Sequence, residues 1–152
     1  MPKIKTYVLT VSRVFPKTHK RAGQNTGFVQ QITKLFSSEN TKIHTIRANY
    51  DLWNKRAKEI NEGRAILSIR YWSDKPYNSK QVEICRLEKG GIQKICFLNG
   101  NIYDPIIDDN IEKSLAEVSF NDGLSAIDFI EWFKGYDLSE PMAIIHFTDF
   151  RY

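Results

Sequence analysis

Within six residues, Lys42-Ile43-His44-Thr45-Ile46-Arg47, the chain offers an amine, a hydroxyl and a guanidinium. A lysine partly removed from water loses some of its preference for charge, so Lys42 can be poised to take the proton of Thr45 or of a water. Arg47 is the group suited to an oxyanion or a phosphate. The spacing works against this chemistry. In a regular strand Lys42, His44 and Ile46 share one side and Ile43, Thr45 and Arg47 the other, so Lys42 and Thr45 meet only if a bulge or strand end re-aims one of them. Without such a distortion the run is a good strand former, Thr45, between a solvated Lys and a solvated Arg.

Two other clusters carry positive charge. Arg70, Trp72, Lys75 and Tyr77 interleave cations with aromatic rings, which suits stacking on an unpaired base beside a phosphate. The competing reading is core aromatics with solvated neighbours. Lys17, His19, Lys20 and Arg21 sit in the polar stretch from Pro16 to Asn25, which reads as an exposed loop available either for solvation or for phosphate contact. A single His19 is too little for a metal site. Across the chain the basic residues outnumber the acidic nine to one over positions 1–50, whereas eleven acidic residues face three basic ones after position 100. A basic front suits an anionic partner such as RNA or a nucleotide, and an acidic back suits a solvated face.

The elements that must position these residues follow from periodicity. A strand from Lys5 to Val14 ends near Pro16. A helix from about Gly27 to Ser37, capped by Thr26, buries Phe28, Ile32, Leu35 and Phe36. The motif strand occupies Thr41 to Arg47. A helix opening at Asn49 or Asp51 turns Leu52, Trp53, Ala57 and Ile60 inward and stops at Gly63. The strand Arg64 to Trp72 sets Ala65, Leu67, Ile69 and Tyr71 on one face and Ile66, Ser68, Arg70 and Trp72 on the other, and a closed or nearly closed barrel would give both faces somewhere to go. Gly90-Gly91 joins Lys80 to Lys89 and Ile92 to Leu98 as a hairpin, setting Cys85 opposite Cys96 as reduced thiols. Pro105 marks a loop, and a short helix spans Asn110 to Val118. Ser125 caps a helix burying Ile127, Phe129, Ile130 and Phe133, and Pro141 to Phe147 closes the fold as a covered strand. The 152 residues make one domain, 1–152, with 41% hydrophobic residues to build one core. No apolar run approaches a membrane span and the start lacks a signal peptide, so a cytoplasmic protein is expected, with no membrane partner. The acidic residues lack calcium-loop spacing, and no metal or cofactor is expected.

Lys-x-x-Thr-x-Arg on a strand, followed by a helix, a Gly-led strand and a late Asp122-Gly123-Leu124 before another helix, resembles the ASCH domain family of the PUA-like superfamily. The resemblance implies an α+β fold: a small pseudo-barrel of about six strands with three to four packed helices, an open α+β sheet being the alternative. It also implies recognition of RNA or a modified nucleoside in a cleft beside the barrel. Some small ASCH-type proteins are amidohydrolases that remove an acyl group from acetylated cytidine. Carried over, their catalytic set falls on Lys42, Thr45 and Asp122, with Arg47 matching the family's Arg. Asp122 stands where those enzymes have a Glu one methylene longer. These residues are then expected to converge on one polar pocket with Trp72 or Tyr77 on its wall.

Overall fold

Residues 3–35 and 42–152 are described in the computed structural model of the chain. The fold is α+β. In order it runs β1 (Lys5–Thr10), α1 (Phe28–Thr33), β2 (His44–Ala48), α2 (Tyr50–Asn61), β3 (Ala65–Trp72), β4 (Gln81–Leu87), β5 (Gly91–Phe97), β6 (Pro105–Ile107), β7 (Ile111–Glu112), α3 (Leu115–Asn121), α4 (Ala126–Phe133) and β8 (Met142–His146). Hydrogen bonding divides the eight strands into two sheets, β1-β3-β4 and β2-β8-β5-β6-β7, and no closed barrel is found among the described residues. β1 runs parallel to β3, and every pair in the larger sheet is antiparallel. One core joins the sheets: Leu9, Leu67 and Ile69 from the first meet Ile46, Ile95, Ile107 and Ile144 from the second, with Phe28, Ile32, Val118 and Phe129 from the helices. Each such side chain contributes about 1.5–3 kcal/mol by leaving water.

The apolar strand β3 finds cover for Leu67 and Ile69 in this core rather than in a barrel lumen. Its other face carries polar groups: Arg70 donates to Ser68 Oγ and Gln81 Oε1 at 2.9 Å each. α2 behaves as its pattern requires at Trp53, Ala57 and Ile60, with Asn49 capping through its side chain to the Leu52 N–H. Leu52 itself, expected inside, is 39% exposed. α1 buries Phe28 and Ile32; the Phe36 and Ser37 end of the expected helix lies outside the described residues. Gly27 rather than Thr26 occupies its cap position, and Thr26 Oγ1 accepts from the Phe28 N–H while donating to the Ser12 carbonyl.

Several local expectations are corrected. Gly90-Gly91 is not a hairpin turn, and Cys85 and Cys96 do not face each other. β4 pairs with β3 and β5 with β6 and β8, so Cys85 lies opposite Ile69 and Cys96 opposite Ile106, both thiols being free. The glycines serve close approach instead. The Asn61 amide bonds both the N–H and the carbonyl of Gly90 at 2.8 Å, and a Cβ there would lie 2.7 Å from the Ala57 backbone. The real hairpin is the three-residue connection 108–110 between the paired Ile107 and Ile111, where Asp108 and Asp109 both have positive φ (49° and 70°). It displaces the helix expected from Asn110, which begins only at Leu115, and Pro105 opens β6 rather than a loop. In α4 Ser125 caps through the Asp128 N–H as expected, but Asp128 turns inward to an ion pair with Arg21 and swings Ile127 out, to 70% exposure.

β8 is an interior strand, and all five of its residues are buried. At its end burial, then the neighbouring His44 and Arg151, lower the His146 pKa from 6.5 to about 3. Nε2 donates to Gln93 Oε1 at 2.9 Å, and Nδ1 is the one buried side-chain polar atom without a partner among the described residues. The unfolded chain therefore binds a proton that the folded chain refuses between about pH 6.5 and pH 3. Stability is expected to fall as pH drops through that window, with a slope of up to about 1.4 kcal/mol per pH unit from this group. Denaturant titrations at several pH values should show the slope flattened in His146→Gln, and an unchanged slope contradicts the assignment.

Candidate functional site

The distortion that would let Lys42 and Thr45 share a site is a change of pairing partner. From His44 onward the chain pairs with β8, His44 opposite His146 and Thr45 opposite Ile145. Before that point Lys42 forms an isolated bridge with Asp122, and the Ile43 N–H donates to the Asn121 carbonyl at 2.9 Å. Lys42 thus lies outside the alternation of β2. The partner segment is shaped by the end of α3, where the Gly123 N–H bonds the Phe120 carbonyl and the Leu124 N–H bonds the Ser119 carbonyl, with Gly123 at φ 81°. These two bonds and the left-handed glycine form a Schellman close. It presents both the backbone and the side chain of Asp122 to Lys42.

Lys42 is 1% exposed. Its Nζ donates to the Asp122 carbonyl at 2.8 Å, lies 3.4 Å from Asp122 Oδ1, and sits 4.0 Å above the Phe28 ring. Burial pulls its pKa down from 10.5 to about 8; Asp122 acts in the opposite direction and Arg47 reinforces the fall. Of the two influences that compete at a lysine beside a carboxylate, desolvation is the larger here.

Thr45 and Arg47 occupy the same face of β2. Arg47 Nη1 donates to Thr45 Oγ1 at 2.7 Å and Nη2 to the Thr10 carbonyl at 2.7 Å. The hydroxyl is therefore held by Arg47 rather than by Lys42, and its own proton is left for a ligand or base. Burial lowers the Arg47 pKa, though a guanidinium stays charged. Behind the cleft Asp122 Oδ1 also meets His44 Nδ1 at 3.3 Å, and His44 Nε2 meets the Tyr152 hydroxyl at 2.6 Å.

Lys42, Thr45, Arg47 and Asp122 line one cleft of about 290 Å³, together with Trp72 from the end of β3 and Pro76 and Tyr77 from the β3–β4 loop. Trp72 and Tyr77 pack with ring centroids 5.1 Å apart, and Tyr77 is 86% exposed at a positive φ of 64°. Phe28, Trp132, Phe133 and Tyr136 complete the aromatic walls. Sequence reasoning assigned Phe28 and Phe133 only to helix faces, and gave no signal for Trp132 or Tyr136, which reach the cleft because α4 packs across it.

The remaining candidates are elsewhere. Arg70 bonds within its own sheet, and neither it nor Lys75 lines the cleft. Lys17 and Lys20 are exposed, as a basic loop requires. His19 is not: it is 4% exposed against Phe15 and Trp132, its Nε2 facing the Asp128 carbonyl at 3.1 Å and its Nδ1 accepting from the Arg21 N–H. Both ring nitrogens are occupied, which corrects its expected exposure. Arg21 pairs with Asp128 at 2.6 Å and stacks on Phe15. Among the described residues no group of three or more His, Cys, Asp or Glu could hold a metal ion, and no helix is long and apolar enough to cross a membrane. Comparison with family models, curated proteins and solved structures gives no match for this chain.

Gly123 is the most constrained backbone position of the site. A Cβ there would lie 2.9 Å from Lys42 Cβ and 2.8 Å from Gln31 Oε1, at a φ that disfavours side chains. Gly123→Ala is expected to destabilise the protein by roughly 1–3 kcal/mol and to displace Lys42, measured by thermal unfolding and by the chemical shifts of Lys42. A variant as stable as wild type with unshifted Lys42 resonances refutes this.

Proposed function

We propose that the chain is an RNA- or modified-nucleoside-binding domain of ASCH type, a small PUA-like pseudo-barrel, and that the Lys42 cleft takes one nucleoside, free or as an unpaired residue of RNA. The observation that carries this reading is the mixture in one cleft of aromatic walls with a fixed set of donors and an acceptor: Trp72, Tyr77 and Phe28 beside Lys42, Thr45, Arg47 and Asp122. Rings provide stacking surface for a base, and the polar groups can pair with its edge. A volume of about 290 Å³ suits one nucleoside rather than a run of nucleotides. Exposed Lys17, Lys20 and Lys75 are cations for the phosphates of a longer ligand. We assign the protein to the cytoplasm, where free thiols at Cys85 and Cys96 stay reduced.

A second reading, hydrolysis of acetylated cytidine, is favoured by the buried Lys42 with its pKa lowered to about 8. In that reaction Thr45 Oγ1 attacks the amide carbon and gives its proton to neutral Lys42. Arg47 faces the oxyanion, the C–N bond breaks, and the amine leaves with a proton relayed through Asp122; water then hydrolyses the acyl-threonine. Binding stands first because Thr45 Oγ1 is held by Arg47 rather than by Lys42.

The two readings have opposite pH signs. A ligand held by the Lys42 ammonium binds fully below about pH 8 and more weakly above it, whereas hydrolysis by the neutral amine accelerates as pH rises through that value. Calorimetry with cytidine and acetylated cytidine, run beside a chromatographic assay for free cytidine, separates them. For binding, Thr45→Ala should lose about 1–2 kcal/mol of affinity without turnover in any form. For hydrolysis, Thr45→Ala and Lys42→Met should each abolish turnover; Met rather than Ala, because Lys42 is buried and truncation would open a cavity. An RNA ligand neutralising about three to five phosphates should give a salt slope of roughly −2 to −4. Absence of binding and of turnover across a nucleoside and RNA panel at low salt refutes both readings.

A further inference from the structure

We infer that His44, braced by Tyr152, is a positioning residue that fixes the Asp122 carboxylate so that its Oδ2 is presented to the ligand in the cleft. The inference rests on the nucleoside reading for the ligand and on the geometry alone for the positioning. His44 lies on the side of β2 away from Thr45 and Arg47 and is fully buried. Its Nδ1 meets Asp122 Oδ1 at 3.3 Å, and its Nε2 meets the Tyr152 hydroxyl at 2.6 Å. Asn121 Nδ2 donates to the same hydroxyl at 3.1 Å, which leaves the phenolic proton to go to His44 Nε2. Burial raises the Tyr152 pKa, so the phenol keeps that proton to bear. With Nε2 accepting, the neutral ring carries its hydrogen on Nδ1, aimed at the carboxylate. Lys42 Nζ approaches the same oxygen at 3.4 Å. Both groups therefore act on Oδ1, and Oδ2 is the oxygen left to accept from an exocyclic N–H of a base.

The groups that face Lys42 are Asp122 from the end of α3, Arg47 from β2 and the Phe28 ring from α1. The Asp122 carboxylate is the one negative charge among them, and neither the Phe28 ring nor the Asp122 carbonyl is bonded to His44, so a change in the Lys42 titration on substituting His44 reports where that carboxylate sits.

The test follows this titration by heteronuclear NMR of the lysine side chain, with no ligand present. In His44→Gln, whose amide mimics Nε2 rather than Nδ1, the carboxylate is released and the Lys42 midpoint is expected to fall by about half a pH unit or more. In His44→Asn, whose amide nitrogen sits where Nδ1 does, the midpoint should return to the wild-type value. Tyr152→Phe should give an intermediate fall, and it carries the test if His44→Gln fails to fold by circular dichroism. A midpoint unchanged in His44→Gln or, failing that, in Tyr152→Phe, or one that His44→Asn does not restore, overturns the inference. A second arm compares affinity for cytidine and N4,N4-dimethylcytidine, which lacks the exocyclic N–H. Wild type should prefer cytidine by about tenfold and His44→Gln by little or nothing; equal discrimination in both proteins also overturns the inference. Should wild type bind neither nucleoside while the midpoints move as stated, the nucleoside reading fails and the positioning role stands.

Discussion

The burial of the Lys42 ammonium against Asp122 is the constraint on which the rest of the site depends. A charge at 1% exposure survives only with partners, and here the backbone carbonyl, the carboxylate and the Phe28 face supply them. Losing one partner of a buried pair leaves an uncompensated charge, at a cost of about 3–5 kcal/mol. The backbone bridge between Lys42 and Asp122 ties the entry to β2 to the close of α3. Through that tie the cleft floor is welded to both the larger sheet and the helical layer, so its polar groups are held by the fold rather than by loops.

The same carboxylate faces two ways. Toward the cleft it meets Lys42, and away from it His44, after which Tyr152, Gln93 and His146 continue the chain of buried polar groups. Nearly every polar atom along this path is paired, which is what keeps so much polarity tolerable inside a core. The exception, His146 Nδ1, coincides with a ring that burial keeps neutral. A neutral acceptor without a partner costs far less than a buried charge would.

Close backbone approach explains features that composition makes look like turns. Gly90 lets α2 pack against the start of β5, with Asn61 satisfying both of its backbone groups. Once that approach is made, β5 is committed to β8 and cannot pair with β4. The two sheets are therefore separated by a glycine chosen for its lack of a side chain, not for its freedom of φ.

Local information sufficed for whatever depends on neighbours in the chain. The apolar rows of α2 and β3, the Asn49 and Ser125 caps, and the enclosed character of β8 are written in periodicity and capping chemistry, because each is decided within a few residues. The motif residues Lys42, Thr45 and Arg47 and the Asp122-Gly123-Leu124 turn could be singled out, as could the need for a distortion between Lys42 and Thr45. The kind of distortion could not, since a change of pairing partner from α3 to β8 involves segments some eighty to one hundred residues away. For the same reason the hairpin moved from Gly90 to Asp108. A glycine pair satisfies a turn and a close approach equally well, and only the position of Ala57 decides between them. Ile127 and His19 exchanged their expected environments because the Arg21–Asp128 pair and the Trp132 wall form only when the loop after β1 meets α4. Tertiary structure alone set the balance at Lys42 as well: desolvation outweighs the carboxylate because the side chain is almost wholly withdrawn from water, and burial of that kind belongs to the packed chain and to no single segment of it.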